Sequence, residues 1–160
     1  MQLVVDVGNT ETVVGLATSS TELAAHWRVS SSVPRTADEM TALLRSFLAG
    51  DGVDESKIVR GVIGSVVPTL NYVWTKTLQN VGRGEVISVT PASDLPIELD
   101  VDEPLTVGAD RIANTLAARA LYKRDTIAVD LGTATTFDCI TEEGVFLGGV
   151  ISPGLPAGLE

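Results

Sequence analysis

One cysteine, Cys139, and one histidine, His26, are all that this 160-residue chain holds of either kind. A lone cysteine excludes an intrachain disulfide and a cysteine-built zinc site, and a lone histidine excludes a paired-imidazole metal centre. That usage fits a reducing compartment, so the cytoplasm is expected. Basic residues are also scarce: 11 Lys and Arg face 21 Asp and Glu, a formal net charge of -10. Such a chain repels a polyphosphate backbone or an anionic bilayer on average, so neither nucleic acid nor membrane is expected as a partner. Any phosphate ligand must then be held by local devices: backbone N–H groups, a metal ion or a few placed cations. The apolar run at the N-terminus is broken by Asp6 and has neither the basic flank of a signal peptide nor the length of a membrane span. Aromatics are only 4% of residues while hydrophobic residues are 44%, so the core must come from Val, Ala and Leu, as in globular α/β proteins.

Periodicity along the chain supports that class. Gln2–Val7, Glu11–Ala17 and Leu23–Val29 read as three strands joined by the turn signals Gly8-Asn9-Thr10 and Thr18-Ser19-Ser20-Thr21. After Thr36, which is able to cap, the spacing of Met40, Leu43, Leu44, Phe47 and Leu48 becomes helical. Lys57–Gly64 reads as strand, Pro68 opens a second helix through Trp74 and Val81, and Glu85–Val89 is again strand. Strands alternating with helices imply parallel pairing in a covered sheet. Thr90–Thr106, with Pro91, Pro96 and Pro104, reads as an irregular connection. Val107–Tyr122 is helical, and Thr126–Asp130, Thr135–Thr141 and Val145–Ile151 form another run of strands.

The strings VDVGNTET, from Val5, and VDLGTATT, from Val129, resemble each other, and each lies at a strand–turn–strand junction opening a meander. The expectation is an internal duplication: a first lobe over residues 1–106 and the start of a second, apparently incomplete, over 107–160. A strand ending in Asp and turning through Gly puts a carboxylate beside exposed backbone N–H groups, which suits a nucleotide phosphate and its metal. A single copy reads more simply as an Asx-type hairpin turn, whereas two copies in duplicated lobes point to phosphate binding.

The strings DVGNTETVVG (Asp6–Gly15), GSVVP (Gly64–Pro68), VGADRIAN (Val107–Asn114), DLGTATTFD (Asp130–Asp138) and LGGVISPG (Leu147–Gly154) together resemble the type III pantothenate kinases. The resemblance implies an α/β, actin-like (ribonuclease H-like) fold of duplicated lobes, each with a mixed sheet flanked by helices. It implies ATP-dependent phosphorylation of pantothenate, the first step towards coenzyme A, by a homodimer requiring Mg2+ and a monovalent cation, K+ or NH4+. Carried over by position, Asp6, Val7, Gly8, Asn9, Thr10, Glu11, Thr12 and Val13 would cradle the ATP phosphates, with Asp6 also near the metal. Gly108, Ala109, Asp110 and Arg111 would bind pantothenate, Asp110 serving as catalytic base. Asp130 would hold the monovalent cation and Thr133 would contact ATP. The family often has Tyr-Asp-Asn-Pro before GADR; here Val101-Asp102-Glu103-Pro104 stands there, so an aromatic or hydroxyl contact from that position is absent.

Other readings remain open at this level. Asp110 and Arg111 also suit a helix start, as a dipole-complementary acid and a surface cation. A non-catalytic regulatory relative would keep the nucleotide loops without needing a base, and another actin-like kinase would act on a different hydroxyl or carboxylate substrate. His26 reads as structural, Cys139 as a buried small hydrophobe, and Trp27 and Trp74 as core or lobe-interface residues. Asp138 reads as exposed or near the metal. Gly148-Gly149 and Pro153-Gly154 read as places of close backbone approach or as turns.

Overall fold

Alternation of apolar and polar residues builds the first hairpin. In β1 (Gln2–Val7) Leu3, Val5 and Val7 are buried while Asp6 is exposed, and β2 (Glu11–Ala17) buries Thr12, Val14 and Leu16 beside them. The antiparallel register pairs Asp6 with Val13 and Val7 with Thr12. β3 (Leu23–Ser30) adds antiparallel to β2. β4 (Arg60–Ser65) and β5 (Glu85–Val89) then add in parallel on the other side of β1, giving the order β3-β2-β1-β4-β5.

Two helices supply the crossovers that parallel strands need. α1 (Ala37–Gly50) opens with a capping box: Glu39 N–H donates to Thr36 Oγ1 at 3.3 Å, and Thr36 N–H donates to Glu39 Oε2 at 2.8 Å. α2 (Pro68–Val81) starts on proline and packs against α1, with Asn80 Nδ2 donating to Thr41 Oγ1 at 3.2 Å. Met40, Leu44 and Leu48 from α1 and Trp74, Leu78 and Val81 from α2 close over the buried residues of β1 and β2 as one core. The strand expected from Lys57 begins three residues later. Asp54 accepts from Ser56 N–H at 3.0 Å and winds Glu55–Lys57 into a 3-10 turn first.

The computed structural model describes residues 1–154; 155–160, the end of the second lobe as read from sequence, lie outside the described residues. The chain divides into two compact units, Met1–Val89 and the part from Thr90 onward. This division differs from the lobe boundary read after residue 106. Its cause lies in the stretch read as irregular: Glu98 and Leu99 form a short strand, β6, pairing in parallel with Val145 and Phe146. Two residues are too few to show a period, and only a distant partner makes them a strand.

In the second unit α3 (Ala109–Leu121) is followed by β7 (Thr126–Leu131), β8 (Ala134–Ile140) and β9 (Val145–Pro153), and the mixed sheet runs β6-β9-β8-β7. α3 packs against β7 and β8. Asp138 and Ile140 are buried in β8, whereas Ile127, Val129, Phe137 and Cys139 are exposed. Cys139 is thus not the buried hydrophobe its neighbours suggest: the strand's period of two turns it away from Asp138 and Ile140.

Candidate active site

Each Asp-Gly string folds as expected into a hairpin turn, and the two turns differ by one residue. Gly8 N–H donates to Glu11 O at 3.1 Å, whereas Gly132 N–H donates to Ala134 O at 3.0 Å. The last ladder pairs are Val7 with Thr12 and Leu131 with Thr135. After the turn, therefore, Thr12 corresponds by pairing to Thr135 rather than to Thr136.

In the first unit Asp6, Asn9 and Thr10 are exposed at the turn, where they can meet a ligand. Val7 is fully buried, and Thr12 is buried with its hydroxyl 2.9 Å from Ser31 Oγ, so these two shape the turn from beneath. Glu11 forms an exposed ion pair with Arg28 at 2.9 Å. A Cβ on Gly8 would lie 2.8 Å from Glu11 O, so the turn needs glycine there. Exposed amide, hydroxyl and carboxylate groups around a close-approach glycine are a donor set that fits a nucleotide phosphate with its Mg2+. Among the described residues no three His, Cys, Asp or Glu side chains converge as a metal cage. Mg2+ ordinarily uses one or two carboxylates together with substrate phosphates.

The second unit gathers the rest. Gly108 is the N-cap of α3, Ala109 is buried, and Asp110 and Arg111 occupy its first turn, Asp110 Oδ1 accepting from Arg111 N–H at 2.9 Å. That turn presents a carboxylate where the helix dipole complements negative charge. Asp130 and Thr133 are exposed at the β7–β8 turn. Gly154 packs on this turn: a Cβ there would collide with the carbonyl oxygens of Gly132 and Thr133, so close backbone approach is the right reading of Pro153-Gly154.

Asp138 is not exposed, which overturns one of the two readings the sequence left open for it. It has no exposed surface and lies 3.4 Å from Arg111 Nη1, with Asn114 Nδ2 donating to its other oxygen at 3.3 Å. Burial raises its pKa; the hydrogen bond from Asn114 and the charge of Arg111 oppose that shift, and the negative charges of Asp110 and Asp130 add to it. The available signal was its place two residues before Ile140 in a strand, on that residue's face. His26 is exposed. Trp27 stacks on Phe47 with centroids 6.0 Å apart and donates from Nε1 to Asp51 at 2.8 Å, while Trp74 is a core residue.

A family model for type III pantothenate kinase matches residues 2–160. The chain belongs to this family. It is 42% identical over 155 residues to the type III pantothenate kinase of Moorella thermoacetica, covering 97% of this chain and 61% of that protein. It is 44% identical over 156 residues to that of Syntrophotalea carbinolica, covering 97% of this chain and 60% of the relative. The chain thus spans about three-fifths of the length of these relatives. Among solved structures it resembles the ethanolamine utilization protein EutJ of Carboxydothermus hydrogenoformans, with TM-score 0.53 and 18% identity over 95% of this chain and 51% of that one. It also resembles a ROK family glucokinase of Streptomyces griseus, with TM-score 0.50 and 17% identity over 95% of this chain and 47% of that one. These similarities place the two mixed, helix-flanked sheets in the actin-like kinase fold, as expected. No helix among the described residues is long and apolar enough to cross a membrane.

Proposed function

We propose that the full-length protein transfers the γ-phosphoryl group of ATP to the hydroxyl of pantothenate, forming 4'-phosphopantothenate for coenzyme A synthesis. The observation that carries this reading is the first turn of α3, where a family match over residues 2–160 coincides with Asp110 and Arg111 at a helix N-terminus. Phosphoryl transfer depends mainly on positioning and charge neutralisation, with a carboxylate accepting the proton of the attacking hydroxyl.

Asp110 is the base in this scheme: it takes the hydroxyl proton as the oxygen attacks phosphorus, and ADP leaves. Arg111 holds the carboxylate of pantothenate, the chemistry to which a guanidinium fork is suited. The turn from Asp6 to Val13 binds the ATP phosphates through its backbone, Asn9 and Thr10, with Asp6 towards Mg2+, whose charge offsets that of the phosphates. Thr133 contacts ATP, and Asp130 takes the monovalent cation, K+ or NH4+. The working enzyme is a cytoplasmic homodimer.

The test is pantothenate-dependent ADP release by the full-length protein, with and without potassium, beside Asp110→Asn. Loss of a general base predicts a fall in kcat of about 10²- to 10⁴-fold with the fold intact. A folded, ATP-binding protein that leaves pantothenate unphosphorylated would move the reading to a regulatory relative or a kinase of another substrate.

A further inference from the structure

Arg111 runs from the first turn of α3 towards the sheet beneath it. Its guanidinium carbon lies 5.9 Å from the Phe146 ring centroid, and its Nη1 lies 3.4 Å from Asp138 Oδ1. Asp138 is wholly buried, and only 14% of the Arg111 side chain is exposed. A buried ion pair recovers its desolvation cost only when its geometry is close and its remaining groups are satisfied. Here they are not. Arg111 Nη2 and Asp138 Oδ1 are both shut away from solvent without a hydrogen-bond partner among the described residues. Arginine–carboxylate pairs frequently close into a short, two-bond fork. This one stays open, tethered from the helix side by Asn114. Its guanidinium is held in place while part of its hydrogen-bonding capacity remains unused.

We propose that Asp138 is a positioning residue for Arg111: the buried carboxylate on β8 fixes the guanidinium at the start of α3 so that the part of the side chain left exposed meets the carboxylate of the acceptor substrate. The proposal rests on the kinase reading above. Asp138 itself touches neither substrate nor nucleotide and acts through Arg111.

The experiment is a double-mutant cycle on the full-length protein, using Asp138→Asn, Arg111→Lys and the pair, with KM for pantothenate, KM for ATP and kcat measured for each. Removing a hydrogen-bonded charge is expected to raise the pantothenate KM about tenfold or more in Asp138→Asn, with the ATP KM unchanged. In the Arg111→Lys background the same substitution should add little, because both act through one contact. An unchanged pantothenate KM, an additive effect in the double variant, or equal rises in both KM values would overturn the proposal. Should Asp138→Asn fail to fold, Asn114→Ala frees the same carboxylate from the helix side. It is expected to raise the pantothenate KM alone, and no change in a folded protein would be equally fatal. Failure of the kinase reading looks different: the unaltered protein would then not phosphorylate pantothenate at all.

Discussion

Gly149 stands directly opposite Asp138 in the β8–β9 ladder, with no room for a side chain between them. A Cβ there would fall 2.7 Å from Asp138 Oδ1 and 2.9 Å from Arg111 Nη1, and would collide with Phe137 O. The carboxylate could swing aside, but the carbonyl belongs to the ladder and could not. Gly149→Ala should therefore force the two strands apart and loosen Arg111 with them. Overpacking of this kind costs about 1–3 kcal/mol, read as a lower denaturation midpoint, and the pantothenate KM should rise with it. An alanine variant of normal stability and normal KM would show that the strands yield here.

The buried carboxylate also predicts a pH dependence. In the folded protein burial lifts the Asp138 pKa above its ordinary 3.8, the negative charges of Asp110 and Asp130 adding to the lift and Asn114 and Arg111 opposing it. A carboxyl with a raised folded pKa favours folding most when protonated. Its contribution is full below about 3.8 and is lost as pH rises through the raised value. Asp138→Asn removes that titration. Denaturant midpoints of the two proteins across acidic pH should therefore drift in the variant's favour as pH rises, then level off once Asp138 is ionised. A difference that stays flat across this window would mean that the carboxyl titrates alike in both states.

Local signals and distant ones divide what the sequence made legible. The Asp-Gly turns, the Thr36 cap and the helical spacing of Met40, Leu44 and Leu48 each sit within a few residues, and all form as expected. β6 is two residues long and exists because β9 lies beside it. The placement of Asp138 and Cys139 depended on which face of β8 α3 would cover, a tertiary choice that put Asp138 inside and Cys139 outside. The one-residue difference between the turns emerges only from strand register. Asp110, Arg111 and Asp130 were singled out through family likeness, whereas the support beneath Arg111 was not.

The Thr36 cap offers a check on the first unit apart from any chemistry. Thr36→Ala removes the oxygen that accepts Glu39 N–H and should destabilise α1 by about 1 kcal/mol. Hydrogen bonds from Thr36 hold the Glu39 carboxyl below its ordinary 4.5. That stabilisation is present above 4.5 and is lost as pH falls through the lowered value. Thermal unfolding at neutral and acidic pH should show the variant weaker at neutral pH, with the gap narrowing in acid. An equal gap at both would assign the loss to the bond from Glu39 N–H, which does not titrate, rather than to the bonds made to the Glu39 carboxylate.

Gly8 tests the phosphate-binding role proposed for the β1–β2 turn. The oxygen that a Cβ at this position would meet at 2.8 Å is Glu11 O, the same atom that accepts the Gly8 N–H. Gly8→Ala must therefore pry open the bond that closes the turn, moving Asn9 and Thr10 and the backbone N–H groups between them. One hydrogen bond to a charged phosphate is worth about 1.5–3 kcal/mol, roughly a ten- to hundredfold change in affinity. On the proposed assignment the ATP KM of the full-length protein should rise by that order while the pantothenate KM holds steady. A rise confined to pantothenate would assign this turn to the acceptor, and no change in either would leave the β1–β2 turn as a structural hairpin with phosphate held elsewhere.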